Sequence, residues 1–210
     1  MKNTVVLLVG LLFSAFSVFA QDVVVETSTP DKDIILKFCR ETYYSGQNRV
    51  CYIREFLERR GNDFVFLIQE DGNPEKKEQV FALQDGYFGI RSRPMGVPQI
   101  YVPHAFQVKF PLQVGTHWSG SWIQTGTAVL QRTRTAEVIS YEDVKTKAGT
   151  FKGFEVRSYN QRLGVRNPAR ERYYFSPELF ALILYESPDF DMREVLVEVR
   201  RASVSVSGAK

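Results

Sequence analysis

Alternation of apolar and polar residues along most of the chain is the feature that most restricts its fold. The clearest case is Arg193–Arg201, where Val195, Val197 and Val199 fall on one face of a strand and Glu194, Glu198 and Arg200 on the other. Successive side chains of a strand point to opposite faces of a sheet, so this period indicates a strand with one buried face. Similar segments recur from Asp33 onward, separated by turns rich in Gly, Asn, Asp and Pro. The pattern predicts an all-β chain of about eleven strands.

Connections between the predicted strands are too short for the crossover helices that a parallel sheet requires. We therefore expect a single antiparallel meander sheet, strongly curved into a half-barrel or open barrel, with at most one short helix. The expected organisation is a flexible leader at 21–32, one β domain at 33–202 and a frayed tail at 203–210. Val50–Glu58 has apolar spacing that also suits a helix, but its hairpin-like flanks favour a strand.

The first 20 residues have the pattern of an export signal. Lys2 precedes an apolar run over Val5–Phe19, and the run ends at the small residue Ala20. We expect a signal peptide at 1–20, cleavage after Ala20 and a periplasmic protein. Gln21 follows instead of Cys, so no N-terminal lipid anchor is expected. The sequence has no second apolar run of about 18 residues, so we expect no transmembrane anchor.

Cys39 and Cys51 are the only cysteines. An isolated pair in an oxidising compartment favours a disulfide. The turn-forming segment Ser45–Asn48 between them would let the bond connect two arms of a hairpin. The alternative is a pair of buried thiols. The sequence has no C-x-x-C motif, so no redox site is expected. No metal site is expected either, because His104 and His117 lie far from the cysteines in sequence.

The charge is nearly balanced overall, with 27 basic and 24 acidic residues, and excludes the strongly basic surface of a nucleic-acid-binding protein. Basic residues nevertheless concentrate in Arg157–Arg172, a predicted hairpin tip whose only acid is Glu171. This segment is either a solvated loop that keeps strand edges soluble or a patch for an anionic partner. The candidate patch consists of Arg157, Arg162, Arg166, Arg170 and Arg172.

Prolines interrupt the strand pattern over residues 92–116. Proline cannot donate to a sheet ladder, although this segment is otherwise rich in apolar residues. We expect a long loop that is either pinned across the core or closes over a cavity as a lid. The candidate lid or cavity residues are Met95, Ile100, Tyr101, Phe106, Phe154, Leu182 and Leu184.

The sequence contains no recognisable catalytic signature. His104 and His117 lie outside metal-binding and nucleophile motifs, and the serines have no motif context. Acidic residues mostly adjoin Lys or Arg, as in surface ion pairs. We therefore expect a protein that is not an enzyme and uses no cofactor.

Three segments in the second half resemble a family of uncharacterised exported bacterial β proteins. Phe110–Trp118 resembles the pattern F-P-L-x-V-G-x-x-W, Val144–Gly153 resembles V-x-V-P-A-G-T-F, and Tyr173–Leu179 resembles an aromatic segment followed by S-P. Lys147 departs from the pattern, since the family usually has Pro there. The resemblance covers roughly residues 105–202 and implies an architecture similar to the lipoprotein carriers LolA and LolB, which curl a sheet around an apolar cavity.

Two functions are compatible with these features. The first is a structural or protein-interaction role in the cell envelope, through a sheet edge or the arginine-rich tip, with an envelope protein as partner. The second is a carrier or binding module that holds a lipid or other apolar ligand on the concave face of the sheet. The sequence slightly favours the first, because partner binding demands no special residues.

Overall fold

The computed structural model describes residues 23–27 and 29–201. The predicted signal peptide and the predicted tail at 203–210 lie outside these residues. The described chain forms one 3₁₀ turn, Pro188–Phe190, and twelve strands: β1 Ile34–Glu41, β2 Asn48–Arg60, β3 Asp63–Glu70, β4 Lys77–Gln84, β5 Tyr87–Arg93, β6 Gln99–Lys109, β7 His117–Thr125, β8 Leu130–Thr146, β9 Gly149–Arg162, β10 Ala169–Ser176, β11 Ala181–Ser187 and β12 Met192–Arg201.

The sheet closes on itself, and this corrects the expected half-barrel or open barrel. Every strand pairs antiparallel with its neighbours in sequence, and β1 also pairs with β12 from Ile34 opposite Arg201 to Glu41 opposite Arg193. Closure satisfies the backbone groups that two open edges would expose. The all-β, antiparallel meander is as the alternation predicts, and Val50–Glu58 lies within strand β2.

The barrel has two different ends. Because consecutive strands are antiparallel, the β1–β2, β3–β4, β5–β6, β7–β8, β9–β10 and β11–β12 connections lie at one end, which we call the open end. The β2–β3, β4–β5, β6–β7 and β10–β11 connections, the start of β1 and the end of β12 lie at the opposite, closed end. Val25 reaches the core there, and its N–H donates to the Leu112 carbonyl at 3.0 Å.

Aromatic rings fill the lumen at the closed end. Phe180 lies in the β10–β11 connection with a positive φ of 46° and points its ring into the barrel. Its ring centroid lies 4.9 Å from that of Phe88, 5.2 Å from that of Phe64 and 5.6 Å from that of Phe175. Such close edge-to-face and tilted contacts add to the stabilisation from burial. This half of the barrel is a solid core.

The middle of the proline-bearing segment is part of the barrel wall, which corrects the prediction of a continuous loop or lid, whereas Pro94, Pro98 and Pro111 lie in the connections on either side of it. Residues 99–109 form β6. Pro103 falls in an irregular stretch where β5 pairs Ser92 with Ile100 and then Ile90 with Ala105. A bulge places proline where no ladder donor is needed, so the strand continues on both sides of it.

The β8–β9 hairpin has the two longest strands of the described barrel, with 17 residues in β8 and 14 in β9. The sequence pattern breaks at residues 142–143, but β8 runs unbroken from Leu130 to Thr146. The hairpin carries Val144 and Phe151 into an apolar cluster with Ile183 and Val195. The Lys147 side chain at its tip pairs with the buried carboxylate of Glu41. The end of the hairpin therefore covers the β11–β12–β1 part of the wall.

Cys39 and Cys51 form a disulfide between β1 and β2. The two residues are directly opposite each other in the antiparallel register, with Cα atoms 4.0 Å apart. The bond therefore connects two adjacent strands of the wall across the β1–β2 connection. Within the part of the chain that the structure describes, no helix is long and apolar enough to cross a membrane.

Candidate functional site

A cavity of about 370 Å³ occupies the half of the lumen nearer the open end. Its floor is the aromatic core, through Phe88 and Phe180, and it reaches the rim at Gln99, Gln124 and Phe190. The apolar and aromatic lining includes Phe66, Phe81, Phe88, Met95, Tyr101, Trp122, Phe180 and Leu182. The wall also carries charged groups, so the cavity is amphipathic.

A buried carboxylate, Glu171 of β10, organises one side of the cavity. It is 4% exposed and accepts four side-chain hydrogen bonds. Its Oε2 accepts from Arg134 at 2.7 Å and from Ser158 at 3.0 Å, and its Oε1 accepts from Asn160 at 3.0 Å and from Tyr185 at 2.9 Å. A buried ion pair is tolerated when its remaining lone pairs are satisfied in this way.

A second ion pair lies across the β1–β12 closure. The Arg40 guanidinium donates to Glu194 at 2.9 Å. Burial raises the pKa of the Glu194 carboxyl, but the charges of Arg40 and Arg93 and the Arg40 hydrogen bond outweigh it, so this pKa lies below its usual value. Glu194 is therefore a carboxylate at neutral pH.

Arg54 of β2 lies in the cavity wall without a carboxylate partner. It is 8% exposed, and no described carboxylate approaches its nitrogens within the 4.0 Å limit of an ion pair. Its guanidinium carbon lies 4.4 Å from the ring centroid of Phe38, 5.5 Å from that of Phe66 and 5.6 Å from that of Phe81. Burial lowers the pKa of Arg54, although Tyr52 and Glu194 oppose this effect.

Several polar atoms of residues in the cavity wall, including Nε of Arg54, are buried without a hydrogen-bond partner among the described residues. Unpaired donors and acceptors of this kind are common in sites that contact a polar ligand group, because natural cores leave few buried polar atoms unpaired. The atoms concerned, all in residues that line the cavity, are Nε of Arg40, Arg54, Arg132 and Arg134, Nε1 of Trp122, Oε1 of Gln79 and Gln107, and Oδ1 of Asn160.

The β9–β10 connection borders a second depression, which we call the rim groove. It is lined by Arg132, Asn160, Arg162, Val165, Asn167, Pro168, Ala169, Arg170, Asp189 and Phe190. Arg132, Asn160 and Phe190 also line the cavity, so the groove continues into it.

The five arginines of the predicted patch fall into two groups, those that form an ion pair and those that do not. Three of its members are already paired with carboxylates: Arg157 with Glu155 at 2.8 Å, Arg170 with Asp189 at 3.1 Å and Arg172 with Glu186 at 2.6 Å. Arg162 and Arg166 have no ion pair to any residue in the described ranges. Only Arg162 and Arg170 line the rim groove.

The predicted cavity residues fall in different places. Met95, Tyr101 and Leu182 line the cavity. Ile100 is 55% exposed on the wall. The remaining three belong to packed regions instead: Phe106 contacts Trp122 and the position of Gly120, Phe154 packs on Tyr141 in the closed-end core, and Leu184 lies in the cluster beneath the β8–β9 hairpin.

The two histidines are separate from the cavity lining. His104 is buried, with Nε2 3.0 Å from the Tyr87 carbonyl, and His117 is exposed. Within residues 23–27 and 29–201, no cluster of three or more His, Cys, Asp or Glu side chains is placed to hold a metal ion.

Sequence reasoning missed the charged cavity residues. Arg54, Arg134, Glu171 and Glu194 lie in strands, not in a loop. A usable signal was present, since Arg54 shares a strand face with Tyr52 and Phe56. A charge on an otherwise aromatic strand face points inward, and inward charges in a β protein indicate a polar interior.

Comparisons with known proteins identify the fold. No protein-family model and no curated protein matches the chain significantly. The chain is similar to a solved structure from Bacteroides fragilis, described as an exported protein with a YmcC-like fold, with 12% identity, a TM-score of 0.55 and coverage of 84% of this chain and 100% of that one. It is also similar to a structure from Parabacteroides distasonis, described as a lipoprotein, with 14% identity, a TM-score of 0.51 and coverage of 86% and 100%. At these identities the similarity concerns the fold alone.

Proposed function

We propose that this protein is a non-enzymatic, exported binding protein of the cell envelope that holds a ligand with an apolar body in its barrel cavity. The cavity carries this proposal. Its volume of about 370 Å³ falls in the range of small-molecule sites, about 300–1,000 Å³. Its lining combines aromatic and aliphatic side chains with a comparable polar and charged surface, so it can contact both an apolar body and a polar group of one ligand.

The envelope location is supported by two independent features. The predicted signal peptide directs export, and both similar structures are described by terms of the envelope, an exported protein and a lipoprotein. The non-enzymatic character is supported by the absence of a catalytic motif from the sequence.

We prefer ligand binding to the protein-interaction role because three of the five arginines in the patch are already paired with carboxylates. Arg157, Arg170 and Arg172 are each neutralised by a neighbouring carboxylate. The interaction role stays a prediction, and charge reversal at Arg162 and Arg166 tests it, since it should abolish capture of a stable partner.

Native mass spectrometry of the protein purified from the periplasm tests the proposed function. We expect a bound small molecule, or saturable uptake of an apolar fluorescent probe by the delipidated protein. Leu182→Trp places an indole in the cavity and should abolish uptake, whereas Leu57→Trp, at a position 36% exposed on the wall, should not. Equal uptake by the two folded variants would overturn the proposal.

A further inference from the structure

The cavity wall carries more positive than negative charge. Five guanidinium groups line it, those of Arg40, Arg54, Arg93, Arg132 and Arg134. The two lining carboxylates pair with Arg40 and Arg134. The other three arginines have no carboxylate within 4.0 Å among the described residues. A surplus of cations in a partly enclosed space attracts anions, because the surrounding protein screens charge less than water does.

Arg54 is the most deeply placed of these three. Its guanidinium is stacked over Phe38, and its Nε has no hydrogen-bond partner in the part of the chain that the structure describes. Aromatic faces offset part of the cost of burying a cation. They do not supply the hydrogen-bond acceptors that its five N–H groups require. A buried arginine with unused donors that lines a cavity is a receptor for anionic oxygens.

Arg93 and Arg132 extend this charge toward the rim. Both line the cavity, Arg132 also lines the rim groove, and Nε of Arg132 has no hydrogen-bond partner within residues 23–27 and 29–201. A ligand that enters from the open end therefore passes two further cations before it reaches Arg54. The apolar part of such a ligand would contact the aromatic lining, including Phe66 and Phe81, which also flank the Arg54 guanidinium.

On this basis, and resting on the proposed function, we propose that the ligand is an amphiphilic anion whose carboxylate or phosphate oxygens bind Arg54 while its hydrocarbon part lies on the aromatic lining. Carboxylate and phosphate share the geometry that a guanidinium recognises through two parallel N–H donors. A purely apolar ligand would leave the Arg54 donors unpaired.

Four probes with the same ten-carbon chain test the proposal: decanoate, decyl phosphate, decanol and decyltrimethylammonium. Titration calorimetry with the delipidated full chain, below micelle-forming concentrations, gives their dissociation constants. We expect decanoate or decyl phosphate to bind about tenfold or more tightly than decanol, as a hydrogen-bonded charge contact implies. The tighter of the two anions identifies the headgroup chemistry. We expect decyltrimethylammonium to bind the most weakly.

Arg54→Met keeps the length and the apolar stem of the side chain and removes its charge. It should eliminate the preference for the anion and leave the affinity for decanol within about twofold, since the cavity shape is retained. Arg59→Met is the matched control, because Arg59 also lies over an aromatic ring, 5.2 Å from the centroid of Phe64, but does not line the cavity. Arg54→Lys keeps the charge and should retain part of the preference, which provides a second variant if Arg54→Met does not fold.

The outcomes separate the two proposals. Two results would overturn the assignment of an anionic ligand and leave the binding function standing. The first is that decanol binds as tightly as the anions. The second is that Arg54→Met lowers the affinity for decanol and the affinity for the anions by the same factor. If none of the four probes binds and the protein takes up no apolar probe, the proposed function itself is wrong.

Discussion

Individual charged side chains inside the barrel are held by different means, and their energetics differ accordingly. Glu171 has four donors and is fully satisfied, whereas Arg54 relies on aromatic faces. Removing a partner from a satisfied buried pair is costly, because the remaining charge stays desolvated. Removing an unpaired charge carries no such cost.

Glu171→Gln should lower the free energy of unfolding by about 3–5 kcal/mol, because it leaves Arg134 buried without a counter-charge. Urea unfolding measures the change. Glu58→Gln is the control, since the Glu58–Arg60 pair is exposed to solvent and should contribute little to stability. The double variant Glu171→Gln with Arg134→Met should recover part of the loss, and a purely additive effect of the two changes would contradict the assigned coupling.

His104 should make stability depend on pH. Burial lowers the pKa of its imidazole below the 6.5 of the free side chain, with a partly opposing contribution from the hydrogen bond to Tyr87. The unfolded chain therefore binds a proton at a higher pH than the folded chain does, so the stabilisation is complete above pH 6.5 and is lost as the pH falls.

We expect the free energy of unfolding to fall below pH 6.5 by up to about 1.4 kcal/mol per pH unit. Urea unfolding between pH 7.5 and about pH 5 measures the slope, above the range in which carboxylates titrate. His104→Gln should remove this slope and His117→Gln, at an exposed position, should retain it. A slope that is identical in wild type and His104→Gln would show that another group is responsible.

At the scale of elements, the local sequence pattern predicts where strands occur. Whether a strand continues through an irregular stretch depends on its pairing with neighbouring strands. The alternation in Arg193–Arg201 is visible because one face of β12 is apolar. The strand through Pro103 was not predictable, since only the pairing of β5 with β6 shows that the proline sits at a bulge. The unbroken β8 depends likewise on its pairing with β9 and on the packing of Val144.

The disulfide ties the first hairpin of the barrel. Its sequence separation is 12 residues, and closing a loop of this size should stabilise the fold by about 3 kcal/mol in the chain-entropy description. We expect the double variant Cys39→Ser with Cys51→Ser to lose about this free energy of unfolding. The wild type measured in reductant should match the variant, whereas the oxidised protein should be more stable than both. Equal stability of the oxidised protein and the variant would contradict this prediction.

For the molecule as a whole, composition and pattern predicted the class of fold but not the closure of the barrel or the cavity. Closure requires β1 and β12 to pair across nearly the whole chain, and no local signal carries that information. Whether the interior is filled depends on where rings such as Phe180 point, which in turn depends on one left-handed residue in a connection. The inward orientation of Arg54 could be predicted from the aromatic residues on the same strand face. That no described carboxylate pairs with it could not be predicted.

The closed-end half and the open-end half of the barrel should differ in local stability. The closed-end half contains the aromatic cluster around Phe180, and the open-end half surrounds the cavity. Regions with fewer buried contacts open more readily. We expect amide hydrogen exchange to be slower in Phe64–Phe66 than at the rim of β5 and β6, around Arg93 and Gln99. A bound ligand should slow exchange mainly at the rim, and uniform protection along the strands would contradict this gradient.

Barrel closure also determines how the molecule can be handled. Ile34 pairs with Arg201, so the chain enters and leaves the barrel side by side, at the end opposite the cavity rim. A tag, a surface linker or a fused domain attached before β1 or after β12 would therefore leave the rim unobstructed. The same adjacency makes circular permutation practicable: a short peptide can join the two strands, and new ends can be opened in a rim connection without breaking the wall.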